Sequence, residues 1–263
     1  MIYIRSASEI AKLQESNRIN YLTLLKLGKL IEPGITTLEL DAVAEDFIRS
    51  HGGKPAFKGY NGFPASICAS INDEVVHGIP SDRKLQQGDI IGIDVGVEKD
   101  GYFGDAAMTY AVGKISENAQ KLMNATRESL YKGIEKAIPG GRLSDIGNAV
   151  QTHVEVSGYS VVRTLVGHGI GENLHEEPEV PNFGAAGKGP VLKSGMVLAI
   201  EPMVNIGKHK VVTDSDGWTV RTDDNSLSAH FEHSIVITEN GPFIMGDNIE
   251  KGEIEYYGKR KSY

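Results

Sequence analysis

The order of helices and strands repeats within this chain, and that repeat constrains the fold more than any other feature of the sequence. Apolar residues at helical spacing predict two helices before residue 53 and two more between about residues 117 and 158. Short apolar runs typical of strands follow each pair, for example DIIGIDVGV after the first and MVLAIEPMV after the second. Two helices followed by strands therefore occur twice in the same order.

Direct comparison of the two parts supports a duplication. Residues 85–94 and 192–201 share the pattern L-x-x-G-x-[IV]-[IL]-x-I-acid, which ends on Asp94 in the first part and on Glu201 in the second. Two stacked halves would turn their sheets inward and place acids at equivalent points. The pattern therefore predicts that Asp94 and Glu201 occupy related positions.

We expect the two parts to form one domain over residues 1–263. No linker, charge run or low-complexity segment separates them. The predicted pseudo-repeats span about 1–112 and 113–263.

A hairpin in the first part, GIDVGVEKDGYFGD, carries an aspartate on each arm, although aspartate is rare in strands. A four-residue turn would place Asp94 directly opposite Asp105, and a two-residue turn at Asp100 and Gly101 would make them diagonal neighbours. Either turn leaves the two Cβ atoms roughly 4.5–8 Å apart on one face. Carboxylates that close repel each other unless a cation lies between them. Two solvated acids are the alternative, which the apolar neighbours disfavour.

The second part offers three further polar residues in apolar surroundings. Glu201 is predicted mid-strand in VLAIEPMV, and Glu232 interrupts the run HFEHSIVIT. His168 lies in GHGIG after the predicted strand SVVRTLV, where glycines let the backbone turn sharply and approach a ligand. Four carboxylates and one imidazole favour two divalent ions such as Mn(II), Fe(II) or Co(II) over one tetrahedral zinc.

Composition excludes several classes of protein. The formal net charge of −8 argues against nucleic acid as the main partner. A single cysteine excludes an internal disulfide framework and fits a reducing compartment. We find no signal-peptide pattern and no apolar run long enough to cross a bilayer, so we expect a soluble cytoplasmic protein with no membrane partner.

Taken together, these motifs resemble the methionine aminopeptidases of the bacterial, single-domain type I. The resemblance covers nearly the whole chain and rests on EPGITTLELD, INDEVVHGIP, GDIIGIDVGVEKDGYFGDAAMT, GHGIGENLHEEPEVPNFG, GMVLAIEPM and FEHSIVIT, in that order. It implies an α+β pita-bread fold: a pseudo-two-fold duplicated antiparallel sheet with helices on its outer face. It also implies metal-dependent removal of N-terminal methionine from nascent chains, with a small second residue preferred.

The resemblance implies a role for each candidate site residue. Glu201 would act as general base, His175 would donate to the developing oxyanion, and His77 would contact the scissile amide. Two divalent ions, drawn from Co, Mn, Fe, Ni and Zn, would be held by five ligands: Asp94, Asp105, His168, Glu201 and Glu232.

The resemblance also implies an apolar pocket for the methionine side chain, lined by Tyr60, Phe63, Cys68, Leu174 and Trp218. Two positions depart from the family. Phe63 stands where tyrosine is usual, and Leu174 stands where phenylalanine is usual, which loosens the expected fit.

The expected partners are the N-termini of nascent polypeptides. The basic tail KGEIEYYGKRKSY is a candidate for ribosome contact, and we expect a monomer. Two alternatives stay open from the sequence. One is another pita-bread peptidase of the Xaa-Pro type, which usually carries an extra N-terminal domain. The other is a non-catalytic peptide-binding relative, a class that loses metal ligands.

Overall fold

The structure, a computed structural model, describes residues 1–246 and has the predicted α+β architecture. The α-helices within residues 1–246 are α1 (Ala7–Gly28), α2 (Thr37–Ser50), α3 (Glu117–Ile134) and α4 (Leu143–Val156), and a short 3-10 helix covers Tyr60–Gly62. The first strands are β1 (Lys54–Pro55), β2 (Ile67–Ile71), β3 (Glu74–Val76), β4 (Ile90–Lys99) and β5 (Tyr102–Ala111). The later strands are β6 (Ser160–Val161), β7 (Gly167–Gly169), β8 (Glu176–Val180), β9 (Val197–Ile200), β10 (Met203–Asn205), β11 (Val211–Thr213), β12 (Val220–Thr222), β13 (Ser228–His230), β14 (His233–Thr238) and β15 (Gly241–Ile244). None of the helices within residues 1–246 has the length and apolar character needed to span a membrane.

Local sequence explains where the helices begin. Ser6 accepts a hydrogen bond from the Glu9 amide, and the Glu9 carboxylate accepts one from the Ser6 amide, which completes a capping box for α1. Thr36 and Glu39 form the same motif at α2. Each helix then buries an apolar face, as spacing of three to four residues requires.

The main apolar core draws residues from all four helices and from strands of both halves. Helix residues in this core include Ile19, Ala44, Leu122 and Val150, and strand residues include Ile93 and Leu198. All strand pairs in the described residues are antiparallel. Helices and sheets therefore share one continuous core within residues 1–246.

The β4–β5 hairpin has the shorter of the two turns considered above. Asp100 and Gly101 form it, with φ of 52° and 80°, a left-handed pair that suits a two-residue hairpin turn. The register pairs Asp94 with Ala107 and pairs Asp105 with Gly96. The two aspartates are therefore diagonal neighbours on one face of the hairpin.

Glu201 and Glu232 lie at strand ends, so the prediction that Glu201 lies mid-strand is wrong. The β9–β14 ladder ends at the pair Ile200 and His233, and the β10–β13 ladder begins at Met203 and His230. Pro202 lacks an amide hydrogen and cannot continue the ladder. Both glutamates therefore lie where the ladder is interrupted.

The predicted strand SVVRTLV is also wrong beyond its first two residues, because only Ser160–Val161 is a strand there. His168 instead lies inside the strand β7. Its flanking glycines serve close packing rather than a turn. A Cβ atom on Gly167 would lie 2.3 Å from the Ala199 carbonyl oxygen, and one on Gly169 would lie 2.3 Å from that of Glu177.

The two halves make matching hydrogen bonds before their second helices. The Gly34 amide donates to the Leu85 carbonyl at 2.8 Å, and the Gly140 amide donates to the Leu192 carbonyl at 2.9 Å. Leu85 and Leu192 are the first residues of the repeated pattern. These contacts support the predicted pseudo-repeats, which stay a prediction.

Strand β5 is joined to the second half by direct hydrogen bonds. The Glu232 amide donates to the Ala107 carbonyl at 2.9 Å, the Ser234 hydroxyl donates to the Asp105 carbonyl at 2.8 Å, and the Thr109 hydroxyl donates to the His230 carbonyl at 2.8 Å. These bonds bring Asp105 and Glu232 to the same place.

Candidate active site

Three buried side chains from three separate strand regions lie close together. They are Asp105 on β5, His168 on β7 and Glu232 just before β14. One ligand atom from each lies within 4.8 Å of the others. A carboxylate, an imidazole and a second carboxylate at such separations form a candidate metal site.

The other two predicted ligands border this cluster. His168 Nε2 lies 3.6 Å from Glu201 Oε1 and 3.9 Å from Asp105 Oδ2. Asp94 is the diagonal neighbour of Asp105 on the hairpin, and burial, the charge of Glu232 and the charge of Asp94 together raise the pKa of Asp105. The structure therefore brings together all five residues that were predicted as ligands.

The protein environment alone does not favour four negative charges here. Burial raises the pKa of Asp94 to about 7. Burial also raises the pKa values of Asp105, Glu201 and Glu232 well above their usual range, and the neighbouring carboxylates raise them further. A cation placed among these groups would restore their charged forms.

His168 presents the nitrogen that a metal would need. Its Nδ1 lies 2.8 Å from the Gly169 carbonyl oxygen, which makes Nδ1 the protonated donor and leaves Nε2 with a lone pair. Nε2 is the atom that faces Asp105 and Glu201. Burial and the charge of His175 lower the pKa of His168 to about 3, so the ring is neutral at physiological pH.

Unpartnered oxygens provide an independent test of whether a metal fits. Asp94 Oδ1, Asp105 Oδ1 and Glu232 Oε1 are buried and have no hydrogen-bond partner among the described residues. Buried polar atoms are nearly always satisfied, so each of these calls for a partner that the polypeptide does not supply. Carboxylate oxygens with one imidazole nitrogen suit divalent cations, and the residues present therefore fit such ions.

His230 borders the cluster and was not predicted from the sequence. Its Nε2 is buried, has no hydrogen-bond partner within residues 1–246, and lies 3.7 Å from Glu201 Oε2. Burial and the charge of His77 lower its pKa to about 3. The sequence does contain a signal for this position. In an extended segment, residues two apart lie on the same face, so His230 in HFEH lies on the same face as Glu232.

His175 lies at the edge of the cluster, after the β7 strand. Its Nδ1 lies 2.7 Å from the Tyr60 hydroxyl, and its ring centroid lies 4.4 Å from that of His168. The residue as a whole is exposed, but its ring packs between these two neighbours, and this partial burial lowers its pKa. A neutral His175 imidazole can therefore donate from Nε2 when Tyr60 donates to Nδ1.

His77 follows β3 in an unusual backbone conformation. Its φ of 60° places it in the left-handed region, which non-glycine residues rarely adopt. Burial and the charge of His175 lower its pKa. Its ring centroid lies 6.4 Å from that of Trp218, which connects it to the predicted side-chain pocket.

The five predicted pocket residues belong to one apolar cluster. Phe63, Cys68 and Leu174 are buried within it, and Tyr60 and Trp218 pack against it. The Phe63 and Trp218 rings meet edge to face with centroids 5.1 Å apart.

The apolar cluster directly adjoins the acids. Cys68 on β2 pairs with Asp94 on β4. Burial first, and then the charge of Asp94, raise the pKa of the Cys68 thiol well above its usual range, so the thiol is neutral. A neutral thiol suits an apolar wall. The pairing of Cys68 with Asp94 places the apolar cluster directly beside the acidic cluster.

Comparison with known proteins gives the class to which this fold and site correspond. Residues 11–239 match metallopeptidase family M24. The chain belongs to that family.

Two similar members of the family are both methionine aminopeptidases. The chain is 54% identical to a methionine aminopeptidase of Clostridium acetobutylicum over 93% of its own length and 98% of the relative. It is 55% identical to methionine aminopeptidase 1 of Bacillus subtilis, over 92% and 97% of the two chains. The chain is therefore a member of the methionine aminopeptidases, and the resemblance drawn from its motifs is confirmed.

Solved structures agree with this assignment. A methionine aminopeptidase from Rickettsia prowazekii superimposes with a TM-score of 0.92 at 42% identity, covering 94% of this chain and all of that one. The corresponding protein from Thermotoga maritima gives 0.92 at 45% identity, over 94% and 99%. A prolidase from Pyrococcus furiosus, at 23% identity and TM-score 0.75, shares the fold, and 66% of that longer chain is covered. The pita-bread fold is thereby confirmed.

Proposed function

We propose that this enzyme hydrolyses the peptide bond after an N-terminal methionine, with two divalent ions held by Asp94, Asp105, His168, Glu201 and Glu232. One observation carries the proposal: the buried cluster of acids and imidazole borders an apolar cluster that contains Phe63, Cys68 and Leu174. Bound divalent ions supply Lewis acidity, which activates water as a nucleophile near neutral pH.

The chain itself supplies the proton transfers and the orientation of the substrate. Glu201 faces the cluster from the end of β9, and we assign it the role of general base and later of acid toward the leaving amine. His175 donates to the oxygen on which charge develops, and its Nε2 is available because Nδ1 is held by Tyr60. His77 contacts the scissile amide.

Substrate choice follows from the pocket and its surroundings. Phe63, Cys68 and Leu174 offer an apolar wall for an unbranched thioether side chain. A free N-terminal amine beside the acidic cluster restricts cleavage to the first residue. A small second residue is preferred, because the subsite that receives the second residue of the substrate is narrow in the family.

Further features belong to the same proposal. The enzyme acts in the cytoplasm on nascent chains and is a monomer. Its single domain is built from two pseudo-repeats. Ribosome contact through the basic tail also belongs here, but that tail lies outside the described residues.

A peptide assay tests this function. The metal-free protein is loaded separately with Mn(II), Fe(II) or Co(II) and given Met-Ala-Ser, together with peptides that begin with leucine or carry proline at the second position. Release of methionine from Met-Ala-Ser alone is the expected result. Cleavage of only the proline-containing peptide would indicate an Xaa-Pro peptidase, and no cleavage with any of the metals would indicate a binding protein.

A matched pair of variants in one hairpin tests the ligand assignment. Asp94→Asn removes a negative charge from the cluster, whereas Asp100→Asn makes the same change at the exposed turn, where asparagine tolerates a positive φ. We expect Asp94→Asn to abolish turnover and reduce the bound metal with the fold retained, and Asp100→Asn to change neither. Normal turnover in Asp94→Asn would refute the assignment.

A further inference from the structure

An arginine near the N-terminus is buried against the segment that carries His175. Arg5 lies before α1, and its side chain is only 3% exposed. Its guanidinium Nη2 lies 2.7 Å from Glu176 Oε1 and 2.5 Å from Glu176 Oε2. The Glu176 side chain is itself only 4% exposed, so this is a buried charge pair between residues 171 positions apart.

Glu176 stands at the base of the loop formed by residues 170–175. It is the first residue of β8 and pairs with Gly169, the last residue of β7. Its carboxylate also accepts a hydrogen bond from the Asn173 amide at 3.1 Å. The same carboxylate therefore receives the guanidinium and holds the interior of the loop.

The guanidinium packs directly on the backbone of this loop. A Cβ atom at Gly171 would lie 2.0 Å from Arg5 Nη2, so any larger residue there would force the guanidinium to shift. The Gly171 carbonyl oxygen accepts a hydrogen bond from the Phe103 amide on β5 at 2.8 Å. Arg5 therefore contacts the same loop residue that is hydrogen-bonded to β5, the strand that carries Asp105.

The Arg5 backbone is anchored as well, which makes it a rigid support. Its amide donates to the Gly195 carbonyl at 2.8 Å, just before β9. A second carboxylate, Glu9 in the first turn of α1, lies 3.2 Å from Arg5 Nη1. Glu172 on the loop contacts the same nitrogen at 3.5 Å, but its side chain is 60% exposed, and exposed pairs contribute little.

We propose that Arg5 is a positioning residue: through Glu176 it fixes the 170–175 loop, and so places His175 toward the substrate and Leu174 in the side-chain pocket. The proposal rests on the roles given to His175 and Leu174 in the proposed function. Arg5 itself touches neither the acidic cluster nor the five pocket residues among the contacts described. Misplacement of a reacting group by about 1 Å can cost up to about a hundredfold in rate.

Kinetics in two backgrounds test the coupling. We expect Arg5→Met to lower kcat/KM for Met-Ala-Ser by about tenfold, and Arg5→Lys to recover part of the loss because it keeps the charge. In a His175→Ala background the same Arg5→Met change should cost clearly less than in the wild type, because one of the two groups that Arg5 positions is gone and only the effect through Leu174 remains. Equal losses in both backgrounds would overturn the proposal.

Hydrogen–deuterium exchange provides a readout that does not depend on turnover. Arg5→Met and Glu176→Gln should each raise exchange in residues 170–176 and at the Phe103 amide, which donates to the Gly171 carbonyl, and leave exchange in α3 unchanged. Unchanged exchange in the loop would overturn the proposal even if activity fell. If the wild-type protein released no methionine, the proposed function would fail, and the exchange measurement would still decide whether Arg5 holds the loop.

Glu9→Gln is the matched control. It weakens the other carboxylate contact of Arg5 and the capping box of α1, so we expect a lower melting temperature. Loop exchange and kcat/KM should stay at the wild-type level. A loss of kcat/KM equal to that of Arg5→Met would show that general stability, rather than loop position, is what Arg5 provides.

Discussion

The hydroxyl of Tyr60 lies 2.7 Å from Nδ1 of His175, and this bond determines which imidazole nitrogen of His175 faces the site. When the tyrosine hydroxyl donates to Nδ1, the proton of a neutral His175 is on Nε2. A donor is thereby available for an oxygen of the substrate.

Replacement of Tyr60 by phenylalanine removes this bond and keeps the ring. We expect kcat for Met-Ala-Ser to fall by about tenfold, because His175 then populates the wrong tautomer and orientation. The KM should change less, since the apolar contact of the ring remains. Steady-state kinetics measure both constants.

Tyr3→Phe is the matched control for that change. Tyr3 is 44% exposed and lies outside the five pocket residues, so its variant should behave as wild type. An unchanged kcat in Tyr60→Phe would show that the bond does not orient His175.

The stability of the metal-free protein should fall as pH rises from 6.5 to 8. Asp94 has a pKa of about 7 in the folded protein against 3.8 ordinarily, and Asp105, Glu201 and Glu232 shift in the same direction. A raised pKa means that the folded protein binds more protons than the unfolded chain at pH values between the two pKa values. Stability is therefore lost between the ordinary pKa and the folded pKa, by up to about 1.4 kcal/mol per pH unit for each proton. The loss from Asp94 is nearly complete at pH about 7, and Asp105, Glu201 and Glu232 supply any loss above that pH.

The histidines of the site act in the opposite direction, but at lower pH. The pKa values of His168 and His230 fall from 6.5 to about 3, so their effect on stability is confined to pH below about 6.5. Thermal melts of the chelated protein at several pH values measure the slope. Saturating Mn(II) should remove most of the slope, and Asp94→Asn should reduce it. A metal-free melting temperature that does not fall between pH 6.5 and 8 would contradict the shared burial of these acids.

His230→Asn should lower kcat by about tenfold while bound metal stays near the wild-type level. The reason is the 3.7 Å contact between His230 Nε2 and Glu201 Oε2, which places a buried imidazole against the proposed general base. Kinetics and elemental analysis of the purified variant measure the two quantities. His209→Asn changes a partly exposed histidine and should have no effect. Wild-type kcat in His230→Asn would exclude a functional contact with Glu201.

Leu174→Ala should reduce both stability and the discrimination between first residues. Leu174 is 1% exposed, and truncation of such a leucine costs about 2–5 kcal/mol. The enlarged pocket should raise the KM for Met-Ala-Ser and narrow the preference for methionine over phenylalanine. Leu38→Ala, at a leucine that is 48% exposed, is the control. A preference equal to that of wild type would place Leu174 outside the pocket.

The helices, the hairpin and the convergence of five polar residues follow from sequence because their signals are local. Capping residues, helical spacing and aspartates in apolar strands each report on a short segment. The register of the hairpin could be narrowed to two alternatives only, because both turns suit the residues at Asp100 and Gly101.

Features that depend on contacts with segments far away in the sequence could not be predicted from local sequence patterns. The glycines beside His168 are required by the Ala199 and Glu177 carbonyl groups, which local sequence does not reveal. The position of Glu201 depends on where a ladder with β14 ends. The ion pair of Arg5 and Glu176 joins residues that share no sequence pattern.

The hydrogen bonds from β5 to residues 230–234 have a consequence for how the site comes into being. The first of the proposed ligands is Asp94 and the last is Glu232, and each half contributes only part of the proposed set. Contacts over such sequence separations form late in folding, because the chain must first close long loops. A chain that lacks either half would lack part of the proposed ligand set, so we expect bound metal and hydrolysis only after both halves have been made and joined.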